Sequence, residues 1–266
     1  MTMLFLQSTA LYAKQNCSKN TICIDENKQG QRIDFYLINK KPYAITVHFN
    51  ITKHNMTSTI PLPVSLVLGG NEKRYITSIE HGSKSWKYNY KYNWSRGDYH
   101  VKHEDNYHYA LPYEIGKKFK VSQSCMGAFT HKGASKYAID FSMPIGTPVH
   151  AARGGIVIDI KNNSNKGGNS SSYKDDGNYV LILHDDGTIG EYWHLKEHGT
   201  VVERGQRVAR GEHIGYSGNT GYTRGPHLHF IVKSVTSYGK GISFPTLFTT
   251  ALGMISCPKK ESYPFY

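Results

Sequence analysis

The hexapeptide Gly225-Pro226-His227-Leu228-His229-Phe230 sets two imidazoles on either side of one leucine. On an α-helix, positions i and i+2 point about 200° apart; on a strand they share one face and the residue between them takes the other. As a strand, this stretch aims His227 and His229 into one groove and Leu228 into the core. The neighbouring runs carry the same signal. "YAIDFSMPIGTPVHAARGGIVIDI" (137–160), "NYVLILHDDGTIGEYWHL" (178–195) and "VVERGQRVARGEHIGYSG" (201–218) are short β-runs joined by glycine turns. No amphipathic helix of useful length interrupts them, so this part of the chain is expected to be mainly β. Residues 126–266 hold 20 of the 26 glycines, which makes this half turn-rich, and "NNSNKGGNSSSYKDDG" (162–177) reads as a polar, mobile loop.

Upstream, "RIDFYLI", "YAITVHFNIT", "VSLVLG" and "RYITSI" are separated by Gly, Pro, Asn and Lys clusters, the pattern of an antiparallel β-sandwich of immunoglobulin-like type. In "WKYNYKYNW" (86–94), Trp86, Tyr88, Tyr90, Tyr92 and Trp94 share one strand face, and Lys87, Asn89, Lys91 and Asn93 the other. An aromatic face of this length suits stacking on sugar rings, but packing the sandwich is the plainer expectation. The expected organisation is therefore a signal-peptide remnant over 1–13, an accessory sandwich over 14–112 and a connector over 113–125. A groove-bearing β-domain over 126–257 and a tail over 258–266 complete it.

The formal charge is +12, from 32 Lys/Arg against 20 Asp/Glu. Such an excess suits a polyanionic partner, an acidic membrane surface or an anionic wall polymer; with no recognised nucleic-acid motif beside it, nucleic acid is not expected. No run approaches the roughly 18 to 20 apolar residues of a membrane-spanning helix. Cys17, Cys23, Cys125 and Cys257 lack CxxC spacing, so an oxidising compartment is the simpler reading. Four cysteines allow three connectivities; the pairings expected are Cys17–Cys23 across a short loop and Cys125–Cys257 around the second half.

With 14 histidines, most must be bystanders. His103 and His108 of "HEDNYH" are one residue too far apart for the HExxH zinc motif and are expected in a solvated loop. His48, His54, His81, His100, His184, His198 and His213 have no partner pattern. A different set converges. Strand alternation turns Asp140 of "YAIDF" away from Ile139 and Phe141, and sets His194 of "EYWHL" against Trp193 and Leu195. His131 precedes Asp140 by nine residues, far enough along a loop to return beside it. With His227 and His229 this makes one carboxylate and four imidazoles. Catalytic zinc takes three such ligands and keeps a position for water, and spare imidazoles beside it can move that water's proton.

Taken in order, the His131 to Val157 run with its Gly-Thr-Pro-Val segment, the Tyr192-Trp-His-Leu195 and Ser217-Gly-Asn-Thr-Gly221 segments and "GPHLHF" resemble the lysostaphin-like M23 family of zinc metallopeptidases over about residues 115–235. The resemblance implies an M23-type β-sheet groove closed by loops, with 162–177 as one wall, and one zinc ion per chain bound by His131, Asp140 and His229. It further implies His227 as the residue that orients or deprotonates the zinc-bound water, and His194 as a stabiliser of the transition state. Many members place the first His and the Asp only four residues apart, and His150 stands where the family usually has a strand residue. The activity implied is hydrolysis of peptide stems or cross-bridges of bacterial peptidoglycan by a secreted or periplasmic enzyme, with acidic wall polymers as further partners. Degenerate members of the family activate other wall hydrolases without cleaving, which gives a peptidoglycan-binding regulator as the alternative; all five positions are filled here.

Overall fold

A computed structural model of the chain describes residues 14–18, 21–259 and 261–264, so the leader expected over 1–13 lies outside the described residues. The chain divides into two compact units: one ends at Arg96 and also takes in Ser237–Gly239, and the other comprises Gly97–Thr236 and the chain from Lys240 onward. Strands dominate both. Among the described residues, helix is confined to two 3-10 turns, Gly133–Ser135 and Ser171–Asp176.

The first unit has two antiparallel sheets. One is ordered Lys14–Ser18, Ile22–Gln29, Arg32–Asn39, Lys73–His81, Met56–Ser58; the other is Val64–Leu68, Ile45–His54, Lys87–Arg96. Alternation decides what each strand buries: Ile45, Val47, Phe49 and Ile51 are inside, while Thr52 and His54 are exposed. Phe35 of the first sheet meets Phe49, Tyr88 and Tyr90 of the second at ring-centroid distances of 5.8 to 5.9 Å. The aromatic stripe of 86–94 is thus largely spent on packing, and Lys87, Asn89, Lys91 and Asn93 face out. Cys17 and Cys23 are cross-strand partners and form a disulfide.

The second unit is built on a nine-stranded antiparallel sheet in which Leu228–Val235 lies between Ile189–Trp193 and Ile139–Ser142. Leu228, Phe230 and Val232 are fully buried with Ile139, Phe141 and Tyr192. Each Leu- or Phe-sized side chain so buried contributes about 1.5–3 kcal/mol. A one-residue slip would push these groups out and bury the imidazoles, so the register carrying His229 is fixed by the core.

Four expectations change here. Residues 113–125, read as a connector, carry the strand Lys118–Gln123, which pairs with Ile139–Ser142 on one side and with Ser262–Pro264 on the other. The tail expected from 258 therefore supplies a strand, and the Tyr113 hydroxyl donates to the Tyr263 carbonyl at 2.6 Å. Tyr109, Leu111 and Tyr113, expected at the end of the sandwich and in the connector, are fully buried in the second unit's core beside Phe248. Residues 162–177, read as a mobile loop, hold a 3-10 turn capped by Ser170 and a short parallel pairing of Gly167–Gly168 with Gly221–Tyr222. Cys125 and Cys257 form the second disulfide.

Candidate metal centre

Cross-strand register brings the chemistry together. Asp140 is paired with His229, His229 with Trp193, and Gln123 with Asp140. Side chains at directly opposed positions stand about 5 Å apart at Cβ, close enough to touch. Asp140 Oδ1 accepts from His229 Nδ1 at 2.8 Å, and Gln123 Nε2 donates to Oδ2 at 3.1 Å. His131 Nε2 lies 3.2 Å from Asp140 Oδ2, and His227 Nε2 lies 3.9 Å from Oδ1. One ligand atom from each of His131, Asp140 and His229 falls within 4.8 Å of the other two.

His131 is fully buried, and its Nδ1 is 2.8 Å from the Ser124 carbonyl. A carbonyl only accepts, so Nδ1 carries the proton and Nε2 is left as a lone pair. That Nε2 has no hydrogen-bond partner among the described residues, although a carboxylate oxygen stands beside it. Two lone pairs converging in a buried place repel unless a proton or a cation lies between them. The donor set of two imidazole nitrogens and one carboxylate fits zinc. Burial acts to raise the Asp140 carboxyl, but positive charge on the surrounding His131, His229 and His227 imidazoles, or a cation held among them, outweighs it and keeps the group below the ordinary carboxylate range.

Expected alternation fails at His194, and the failure is instructive. The strand Ile189–Trp193 stops there because His194 adopts φ 66°, a left-handed conformation that costs a non-glycine residue about 1 kcal/mol. Trp193 and His194 consequently both line the groove instead of facing opposite ways. His194 Nδ1 donates to the Thr220 carbonyl at 2.7 Å, and its ring lies 4.5 Å from that of His227. His227 Nδ1 likewise donates to the Gly225 carbonyl at 2.8 Å. Burial first, then the neighbouring His227 and His229, pushes His194 down to about 3; burial also lowers His227. The backbone beside them has no room: a Cβ on Gly221, at φ 83°, would sit 2.6 Å from the Gly177 Cα and 3.5 Å from His194 Nδ1.

Asp140, His194, His227 and His229 line a groove of about 890 Å³, together with Ser171 and Lys174 of the 162–177 segment, while His131 is fully buried and not part of that lining. All five residues singled out from the sequence are therefore brought together. Three contributors were not legible. Gln123 is re-aimed by a bulge between Val121 and Gln123, so simple alternation puts it on the wrong face, and the Ser124 and Thr220 carbonyls are backbone atoms with no sequence signal. The bystander histidines stay apart from the groove, but His103 is not solvated: its side chain is 2% exposed and stacked on Phe244 at 4.7 Å. His150 packs beside His213, ring centroids 5.4 Å apart, away from the cluster.

Residues 134–241 match peptidase family M23. The M23 match takes in Asp140, His194, His227 and His229, and begins three residues beyond His131. An uncharacterized metalloprotease of Buchnera aphidicola is 37% identical over 120 residues, 45% of this chain and 28% of that protein. The peptidoglycan DD-endopeptidase ShyA of Vibrio cholerae is 32% identical over 139 residues, 50% of this chain and 30% of that protein. Lysostaphin of Staphylococcus simulans is 34% identical over 99 residues, 37% of this chain and 18% of that protein. This chain thus spans less than a third of the length of these curated relatives. Among solved structures, the catalytic domain of the antimicrobial peptidase lysostaphin from Staphylococcus simulans covers 51% of this chain and 84% of its own, at 28% identity and a TM-score of 0.31.

Proposed function

We propose that this chain is a zinc-dependent endopeptidase that hydrolyses peptide stems or cross-bridges of bacterial peptidoglycan, with one zinc held by His131, Asp140 and His229. The observation that carries the reading is the buried His131 Nε2, without a hydrogen-bond partner among the described residues, facing Asp140 at 3.2 Å beside His229. The M23 match supports the reaction class, and the relatives named as a peptidoglycan DD-endopeptidase and as lysostaphin support the substrate class.

A zinc ion bound there supplies a Lewis acid that lowers the pKa of a bound water and polarises a carbonyl. The chain's own residues handle the proton. His227 holds its Nδ1–H on the Gly225 carbonyl, so its Nε2 offers a lone pair to the groove near Asp140. It is the general base: Nε2 takes the proton of the attacking water and passes it to the leaving amine. His194 is held the same way on the Thr220 carbonyl. Its ring, 4.5 Å from that of His227, would help stabilise the transition state. Gln123 fixes the Asp140 carboxylate through Oδ2.

Two disulfides support a secreted or periplasmic location, and the +12 charge supports contact with acidic wall polymers. The two facing sheets of the first unit support the immunoglobulin-like sandwich reading.

The test pairs metal content by plasma mass spectrometry with mass analysis of peptidoglycan digested with and without a chelator. The expected result is about one zinc per chain and new peptide ends that vanish on chelation and return with zinc. A chain that binds walls and leaves every peptide bond intact would instead be the non-cleaving regulator.

A further inference from the structure

The charged side chains of the groove outside the metal cluster are not equivalent. Glu191 lines the groove, 6% exposed, accepts from Trp193 Nε1 at 2.9 Å and has Lys233 Nζ at 3.7 Å, so these two charges offset each other. Lys174 sits in the 3-10 turn Ser171–Asp176, directly before Asp175 and Asp176. Arg224 differs. Its guanidinium carbon lies 3.5 Å from the centre of the Phe129 ring, and its Nε donates to the amide oxygen of Asn169 at 3.2 Å. Both contacts are neutral, so they fix the guanidinium without cancelling its charge.

Position gives that charge a meaning. Phe129 stands two residues before His131, and Arg224 three residues before His227. The stacked pair therefore bridges the two loops that carry a candidate metal ligand and the candidate base, and both partners line the groove. One face of the guanidinium is on the ring and Nε is on Asn169. Among the described residues the terminal nitrogens Nη1 and Nη2 make no hydrogen bond, and they form the planar fork that matches a carboxylate in bidentate fashion. Stacking removes much of the side chain's freedom beforehand, so little is lost when a ligand is engaged.

We infer that Arg224 is a specificity-determining residue that binds a free carboxylate of the substrate peptide close to the scissile bond. The inference rests on the peptidase reading and narrows it: the preferred substrate is a wall peptide carrying a carboxylate near the cross-link, and the same peptide with that group converted to a carboxamide is a poor one.

The test uses the full zinc-loaded chain and two synthetic cross-linked wall peptides that differ only in carboxylate against carboxamide at that position. The wild type is expected to favour the carboxylate form by roughly ten- to a hundredfold in kcat/KM, mostly through KM. In Arg224→Gln the ratio collapses toward unity, and Arg224→Lys restores part of it because charge survives without the fork. Equal rates on both peptides by the wild type, or an undiminished ratio in Arg224→Gln, would overturn the inference while leaving the peptidase in place. Calorimetric binding of both peptides to the metal-free chain separates the two ideas. A carboxylate preference in binding that Arg224→Gln abolishes, with neither peptide cut by the zinc-loaded wild type, would sustain Arg224 and overturn the peptidase reading.

Discussion

At the scale of single residues, the site is organised around Asp140, which touches His131, His229 and Gln123 and lies near His227. On the proposed reading, a metal ligand and a transition-state stabiliser fail differently. His229→Ala is expected to lose zinc and activity together, because it removes one of three nitrogen or oxygen donors. His194→Ala is expected to keep its zinc and to lose turnover by about a hundredfold or more. Metal analysis beside steady-state kinetics checks both, and loss of zinc from the His194 variant would make that residue a ligand. The residues legible in the sequence are those that obey strand alternation: Asp140 between Ile139 and Phe141, and His227 and His229 around Leu228. Trp193 and His194 were misplaced relative to each other because one left-handed residue breaks the alternation, and Gln123 was missed because a bulge does the same.

Among the elements, the segment between Gln123 and Ile139 is the least regular part of the site, with only the short turn Gly133–Ser135, yet it carries His131. One of its anchors is covalent, beside hydrogen bonds such as Gln123 Nε2 to Thr130 Oγ1 at 2.6 Å. Ser124, whose carbonyl fixes the His131 tautomer at 2.8 Å, is followed by Cys125, bonded to Cys257. Partners behind a metal ligand typically govern affinity by 10- to 100-fold, as rough magnitudes. The double variant Cys125→Ser/Cys257→Ser is expected to bind zinc about 10 to 100 times more weakly and to lose about 2–4 kcal/mol of stability. Competition against a chromogenic chelator reads the first and urea unfolding the second. Lower stability with unchanged zinc affinity would show that the disulfide supports the unit but not the ligand. Most strands could be read from their alternation, since a half-buried strand writes its two faces into the sequence. Lys118–Gln123 could not: it is short and lysine-rich, and its edge partner Ser262–Pro264 lies at the far end of the chain.

Over the whole molecule, the second unit begins at Gly97 for an electrostatic as well as an apolar reason. Arg153, 5% exposed, pairs with Asp186 at 2.8 Å and Glu104 at 3.0 Å and lies 3.9 Å from the centre of the Tyr107 ring. It thereby ties the 97–113 segment, which sequence reading left outside this unit, to the turn before Ile189. Behind it His184 is 2% exposed, with Nδ1 at 3.0 Å from Thr188 Oγ1 and Nε2 without a hydrogen bond among the described residues. Burial first, then the charge of Arg153, pushes it down to about 3, with Asp186 opposing. In the unfolded chain a histidine titrates near 6.5. Below that value the unfolded state binds a proton that the fold refuses, so this contribution is complete above about pH 6.5 and is lost as pH falls toward the folded value. Carboxylates held below their usual range, such as Asp140 and Asp186, act only below about pH 4, which leaves the interval from pH 7 to 5 to histidines. His184→Leu keeps the volume and leaves Thr188 Oγ1 its bond to Asp186 Oδ1 at 2.6 Å. Between pH 7 and 5 the wild type is expected to lose about 2 kcal/mol more unfolding free energy than this variant, measured by urea unfolding at both pH values with zinc content matched. Equal losses would mean that His184 accepts its proton inside the fold, and that another group sets the acid sensitivity of the unit.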